Sequence, residues 1–560
     1  MTWVLLGAIG SAWGQQPAEP AGSSVSFAED FELRYWTLDQ RLPDPADVAV
    51  FDYVEQVNRL NMNATAGKWA FAAQVDQVTL WLDRYWLNDE LFLERDLTAE
   101  GLPNVFPGRA ADTAYLNLEK VRATLEDQWG LLTLGDSYVA FGRGAALNMN
   151  RNVDIDIDSS IQGAKAVFRP GAWDLSLVVG QANRQQVWQD NPNRDLRGDL
   201  RHFVTGFRAE RFGLGPANLG AHVVGFDFVD EAGFAAGFQQ LEPFDAVVGG
   251  VTAEVIGVGG IDGYLEADLY GYGPNQPSPL GPDVGDLGHA VYASASAYPG
   301  PFVVLVEGKR YYQAERVNAT LSSEQYEVAV APTLEYERVV TEDSSAALNS
   351  NDVYGGKVQV DWAAVPGKLV PYVSLAAFRD LDLSGLHFND TPETIVHPLA
   401  GVEWIDGGYA VLLNGGYRLD DRDGDTAGTD RQAHVDLTLN LPLPAELDAS
   451  IAIAAERYQW GVNPLQQSDY VESETGTTLT WRHVWSGTAF VDYTTNPLVN
   501  TTGNVGEQLY LAGELQFKPT SAWTLKAFYG SQKAGIRCSG GQCRQLPGFE
   551  GARVSAVGTF

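Results

Sequence analysis

Apolar and polar residues alternate with a period of two along most of this chain. His434-Val435-Asp436-Leu437-Thr438-Leu439-Asn440-Leu441 puts Val435, Leu437, Leu439 and Leu441 on one face and polar residues on the other. Between Ile261 and Tyr270, Leu265, Ala267 and Leu269 lie opposite Asp262, Glu266 and Asp268. Lys357, Gln359 and Asp361 alternate in the same way with Val358, Val360 and Trp362. Such strands fit either a sheet wet on one face or a membrane barrel whose apolar residues face lipid.

The spacing of turns separates these two readings. Short Gly/Pro-rich or polar breaks fall at Ala66-Gly67-Lys68, Asp127 to Gly130, Arg169 to Ala172, Gly213 to Pro216, Gly257 to Gly260 and Pro299-Gly300-Pro301. They continue at Val365 to Lys368, Asp406-Gly407-Gly408, Leu441 to Pro444, Ser486-Gly487 and Lys518 to Ser521. Longer polar stretches lie between them, among them Gln185 to Arg197, Asn275 to Gly288, Asn318 to Asp352 and Asp420 to Asp430. Short turns alternating with long loops mark an up-and-down outer-membrane barrel, short side periplasmic and long side extracellular. Trp69, Trp129, Trp173, Trp362, Trp404, Trp485 and Trp523 all sit within a few residues of a short break. Indoles prefer the lipid–water interface, so they predict an aromatic girdle at the periplasmic rim. Each break makes one hairpin; an opening strand around Phe27–Leu38 and a closing strand ending on Phe560 bring the total to about 24, with 22 as the lower bound. The fold class is therefore all-β: a transmembrane up-and-down antiparallel β-barrel with loops folded into its lumen.

The tail fits that closure. From Gly551 the chain runs in strand spacing to an aromatic residue at the carboxylate, and an unpaired apolar edge there would invite aggregation. The tail resembles the closing strand of bacterial outer-membrane barrels, whose terminal Phe is read by the barrel-assembly machinery, which makes Phe560 the assembly signal. It departs from that pattern at Ser555, where glycine is favoured, and at Gly558, where an apolar residue is favoured.

Composition narrows the setting. No apolar run reaches the 18 or more residues of a spanning helix. Trp3 to Gly10 followed by Ala12-Trp13-Gly14 predicts a signal peptide over 1–14, although no Lys or Arg precedes Arg34. A linker over 15–23 and a single barrel domain over 24–560 follow. A formal charge of −35 argues against nucleic-acid partners and fits a lumen lined with carboxylates or a surface that meets cations. The expected setting is the outer membrane of a Gram-negative bacterium, with lipid, lipopolysaccharide and the assembly machinery as partners. The two cysteines, Cys538 and Cys543, share one loop and fit an exported protein with a disulfide that holds the last hairpin in register.

Three inserts in the first third could narrow the lumen: Asp39 to Gln56, Tyr85 to Ala110 and Ser137 to Ser159. In the third, glycines at 142 and 144 allow tight turns around Arg143, and Arg151 precedes Val153-Asp154-Ile155-Asp156-Ile157-Asp158. Arg143, Arg151, Asp154, Asp156 and Asp158 are candidate pore-lining residues, with Glu266 and Asp268 as lumen wall. They form either an arginine–carboxylate constriction with a transverse field or a set of ion pairs that pins the loop. The Asp-x-Asp-x-Asp run lacks the glycine and glutamate of a calcium-binding EF-hand loop, since Ser159 and Lys165 stand in those places. Asp421, Asp423 and Asp425 crowd another loop, as a weak divalent-cation candidate or a solvated acidic turn. The seven histidines show no metal-site spacing and no nucleophile motif is present, so neither an enzyme nor a cofactor is expected.

Gly135-Asp136-x-Tyr138-x-x-Phe141-Gly142-Arg143-Gly144, Gly163-Ala164-Lys165, Ala331-Pro332-Thr333-Leu334-Glu335 and the Cys538–Phe560 tail together resemble a family of uncharacterised outer-membrane porin-like barrel proteins. The resemblance implies fold and location and brings no activity with it. Two functions stay open: a porin-like channel for small solutes biased to cations, and a structural barrel that holds a lipoprotein or surface partner.

Overall fold

The computed structural model describes residues 23–41, 48–87, 90–93, 114–152, 157–183, 202–228, 244–273, 287–314, 327–328, 353–381, 393–422, 430–459, 469–495, 509–533, 535–539, 542–546 and 549–560. Its main sheet has 25 strands, one of which, Glu90–Leu93, only folds back on Arg84–Leu87 at the end of Trp69–Leu87. The remaining 24 pair antiparallel, each with its neighbours in sequence, and close into a barrel. The seam joins Ser24–Arg41 to Phe549–Thr559 over the register Ala28↔Thr559 to Trp36↔Gly551. At its rim Phe27 N donates to Phe560 O at 2.8 Å and Phe560 N donates to Phe27 O at 2.9 Å. Closure leaves no free edge, so backbone groups that lipid could not satisfy are paired within the barrel.

Alternation sorts the side chains between the two faces. On Ile261–Tyr272, Leu265 and Leu269 are exposed on the outside, whereas Glu266 and Asp268 are buried on the inside. Val353–Trp362 repeats this, with Val358 and Trp362 outward and Lys357 and Gln359 inward. The seven tryptophans of the expected girdle are all between 37% and 48% exposed beside the short turns, where an outward-facing indole meets the membrane interface.

The turns follow the sequence with two displacements. Ser486-Gly487 lies inside Trp485–Thr494, and the chain reverses at Arg482 and His483, both with φ of 54°. Leu441 to Leu443 likewise complete Asp430–Leu443, and the reversal uses Ala445 and Glu446 at φ 65° and 59°. Both reversals place ordinary residues in the left-handed region and use no glycine; Pro444, the last residue of the expected break, opens the turn at Ala445-Glu446, and nothing comparable marks Arg482-His483.

The expected insert at Asp39 to Gln56 is corrected too. Those residues mostly extend the strands Ser24–Arg41 and Val48–Ala66, of 18 and 19 residues, which pair along their whole length. Barrel strands need only about 9–11 residues to cross the membrane; the excess reads as a polar interruption in sequence. Tyr85–Leu87 also belong to a strand, Trp69–Leu87, and residues 94–113 of that insert lie outside the described residues, as do the expected signal peptide and nearly all of the linker.

Candidate functional site

The insert between Gly130–Ser137 and Ser160–Phe168 turns inward and docks on the inner wall. Val139–Phe141 pairs with Leu147–Met149, and Arg151–Asn152 with Ile157–Asp158. The first hairpin turns at Gly142, whose φ of 62° suits glycine, and Gly144 N donates to Phe141 O at 3.1 Å. Its apolar side chains, Phe141, Ala145, Ala146, Leu147 and Met149, join one cluster with wall residues such as Val204, Val224, Val248 and Tyr270. Burial of Phe141, Leu147 and Met149 contributes roughly 1.5–3 kcal/mol each. Apolar packing therefore holds the hairpin at least as strongly as any single ion pair.

Polar contacts fix where it sits. Arg143 N donates to Glu266 Oε2 at 2.6 Å, and Tyr264 Oη donates to the same oxygen at 2.8 Å. The Arg143 guanidinium lies over the Tyr292 ring at 4.7 Å and the Tyr264 ring at 5.9 Å, and donates to the Tyr292 hydroxyl. Tyr270 Oη donates to Ala145 O at 2.8 Å. At the far end Lys120 forms a buried ion pair with Asp158, Tyr138 Oη donates to Asp158 Oδ1 at 2.7 Å, and Arg151 Nε lies 3.5 Å from Asp158 Oδ2. Burial, with the Asp158 charge beside it, raises the Tyr138 pKa above the usual phenol range, so the hydroxyl keeps its proton and acts as donor. Asp136, at the base of the insert, accepts from Ser160 Oγ at 2.9 Å, Asn183 Nδ2 at 2.7 Å and Val121 N at 2.7 Å. The Gly135-Asp136-x-Tyr138 motif is thus the hinge that turns a wall strand into the insert.

The candidate residues fall into separate groups. Arg151 and Asp158 meet each other, Arg143 meets Glu266 through its backbone, and Glu266 and Asp268 share one inward face. Asp154, Asp156, Asp423 and Asp425 lie outside the described residues, and Asp421 stands near the end of Tyr409–Arg422. Cys538 is the register partner of Cys543 in the hairpin Gly535–Ser539/Gln542–Leu546, to which Glu327–Val328 adds a third strand.

Sequence reading missed His222. It lies on Ala217–Phe228, two strands from Asp268, yet its Nε2 is 2.6 Å from Asp268 Oδ1. The register runs His222↔Gly250↔Asp268, so the intervening strand carries no side chain there. A Cβ on Gly250 would come within 1.8 Å of Asp268 Oδ1 and 2.5 Å of His222 Nε2. The interior glycine pair Gly249-Gly250 was the available signal, since a strand glycine marks close approach. The same device recurs where His397 and His434 meet Nε2 to Nε2 at 2.9 Å above Gly416.

Beside the insert, on the other half of the wall, lies a cavity of about 410 Å³. Arg59, Lys120, Arg122 and Arg151 line it together with Asp30 and Asp136.

No family model and no curated protein matches the sequence. Among solved structures, the siderophore receptor PirA from Pseudomonas aeruginosa is similar at 7% identity and a TM-score of 0.44, over 97% of this chain and 81% of that one. The translocation pore of the P pilus usher PapC is similar at 11% and 0.41, over 95% and 99%. OccK9 (OpdG) from Pseudomonas aeruginosa is similar at 14% and 0.38, over 74% and 97%. At these values the likeness carries nothing about function. Location follows from the fold: a closed 24-strand barrel with an apolar exterior, an aromatic rim and a polar interior is an outer-membrane protein of a Gram-negative bacterium.

Proposed function

We propose that this barrel is a channel for small hydrophilic solutes, biased to cations, with the insert 137–159 as its constriction. The observation that carries this reading is the docked insert with a polar cavity beside it, lined by charges of both signs. Opposed charges across a narrow opening orient dipolar solutes, and an overall charge of −35 raises the local concentration of cations at the mouth. Within the insert the roles divide. Asp158 and Glu266 are buried and serve the docking, Asp268 is buried against His222, and Arg151, with its side chain 47% exposed, lines the cavity. Asp154 and Asp156 are assigned to the solute path together with Arg143.

Reconstitution in planar bilayers under a salt gradient tests the reading. The expected reversal potential is that of a cation-preferring pore, weakened by Asp154→Asn with Asp156→Asn and strengthened by Arg151→Gln. Absence of conductance from folded protein would overturn it. A second reading has its own support, because inward-facing Glu32, Glu55, Asp76, Glu456 and Glu472 are also buried. A filled barrel that scaffolds a lipoprotein would give no conductance and a co-purifying partner.

A further inference from the structure

We propose that His222, Glu266 and Asp268 form a binding site for a divalent first-row transition metal, of the Zn²⁺ class, in the inner wall behind the insert. The proposal stands on wall geometry and is independent of the channel reading.

Each of the three residues offers a donor atom, and those atoms lie within 4.8 Å of one another. All three side chains are at least nine-tenths buried, Glu266 and Asp268 at 1% exposure and His222 at 6%. Their hydrogen bonds satisfy only part of this polar surface. Glu266 Oε2 accepts from Arg143 N and Tyr264 Oη, and Asp268 Oδ1 faces His222 Nε2. Glu266 Oε1, Asp268 Oδ2 and His222 Nδ1 are buried without a partner. Nor is the charge balanced by a cation. Among the described residues the only ion-pair contact of either carboxylate is that of Asp268 with His222, and the Arg143 guanidinium is spent on the rings of Tyr292 and Tyr264. Two adjacent buried carboxylates with unpaired oxygens are costly unless a proton or a bound cation neutralises them, and a cation would also satisfy the unpartnered imidazole and carboxylate atoms.

The backbone around the cluster is shaped for an occupant. Gly250 lies beneath it and Gly142 above it, and a Cβ on Gly142 would come within 1.8 Å of Glu266 Oε1. Side chains at either position would fill the space the donor atoms share. An ion 2.0–2.2 Å from each donor needs only small side-chain rotations to bring the three together. The contacts to Glu266 Oε2 then act as outer-shell bonds that orient the ligand. One imidazole nitrogen with two carboxylates selects against Mg²⁺ and Ca²⁺, which favour oxygen alone, and for Zn²⁺ and its neighbours.

The test uses full-length folded protein in detergent, stripped with a chelator and titrated with ZnCl₂, with metal content read after gel filtration. The expected result is one tightly held Zn²⁺ per chain, no comparable Mg²⁺, and a rise in unfolding temperature on Zn²⁺ addition. Glu266→Gln and His222→Ala should each weaken binding at least ten-fold. Asp268→His, which replaces one ligand with another, should keep it. Retained folding is read from heat-modifiable gel mobility, and Gly250→Ala serves as a fourth variant that blocks the site without removing a ligand. Zn²⁺ held only at weak sites that these substitutions leave unchanged would mean adventitious binding at exposed carboxylates and would overturn the proposal. Folded wild-type protein that retains no metal would do the same.

Discussion

Removing the Lys120–Asp158 ion pair should loosen the insert. Asp158 is 3% exposed and Lys120 is 7% exposed, so each is taken out of water mainly for the other's sake. Asp158→Asn leaves a buried ammonium facing an amide, and breaking a buried pair costs about 3–5 kcal/mol. Lys120→Met should cost somewhat less, since Asp158 keeps the Tyr138 hydroxyl at 2.7 Å and Arg151 at 3.5 Å. The Arg151 arm is half exposed and contributes about 1 kcal/mol at most. Replacing both, as Lys120→Met with Asp158→Asn, removes both charges and should cost roughly 2 kcal/mol less than the sum of the single changes. Urea unfolding in lipid vesicles, followed by tryptophan fluorescence and gel mobility, measures all four corners of this cycle. Single changes below about 1 kcal/mol that add without coupling would refute the pin.

Other perturbations address other parts of the barrel. Deleting Phe560 removes two seam hydrogen bonds and ring contacts with Phe27 and Trp523 at 5.9 and 6.5 Å; a loss of about 2–4 kcal/mol and a fall in folded protein recovered from outer membranes are expected. The facing register of Cys538 and Cys543 predicts no thiol labelling by maleimide before reduction, and full labelling of both without reductant would exclude the disulfide. Such a bridge across so short a loop stabilises by roughly 2 kcal/mol, read as the shift in unfolding caused by reductant. Gly142→Ala places a Cβ against the Glu266 carboxylate and strains a φ of 62°, so the insert should loosen and become more susceptible to protease within 137–159 than in wild-type protein.

Period-two alternation and the spacing of Gly/Pro breaks carry the barrel because closure depends on local patterns repeated many times. The insert's docking was legible in part. Phe141, Gly142 and Arg143 announce a packed turn, but their partners His222, Glu266 and Tyr292 are brought in by register between distant strands. Asp158 reads in sequence as one of three equivalent aspartates, and its partner Lys120 lies in another strand with no local signature. The pairing of His222 with Asp268 was hidden for a further reason: sheet reasoning pairs nearest neighbours, and these two meet across a strand. The left-handed turn at Arg482-His483 was displaced because nothing in residue type marks it, whereas Pro444 marks the start of the turn at Ala445-Glu446.

Neighbouring strands lie about 4.8 Å apart, so residues on alternate strands normally stand nearly 10 Å away and do not interact. Gly250 and Gly416 each open a window through which that distance is bridged, joining His222 to Asp268 and His397 to His434. Mutational effects in this wall should therefore skip a strand. A change at His222 couples to Asp268 with the glycine between them unaltered, and filling that glycine cuts the coupling while both polar residues remain in place.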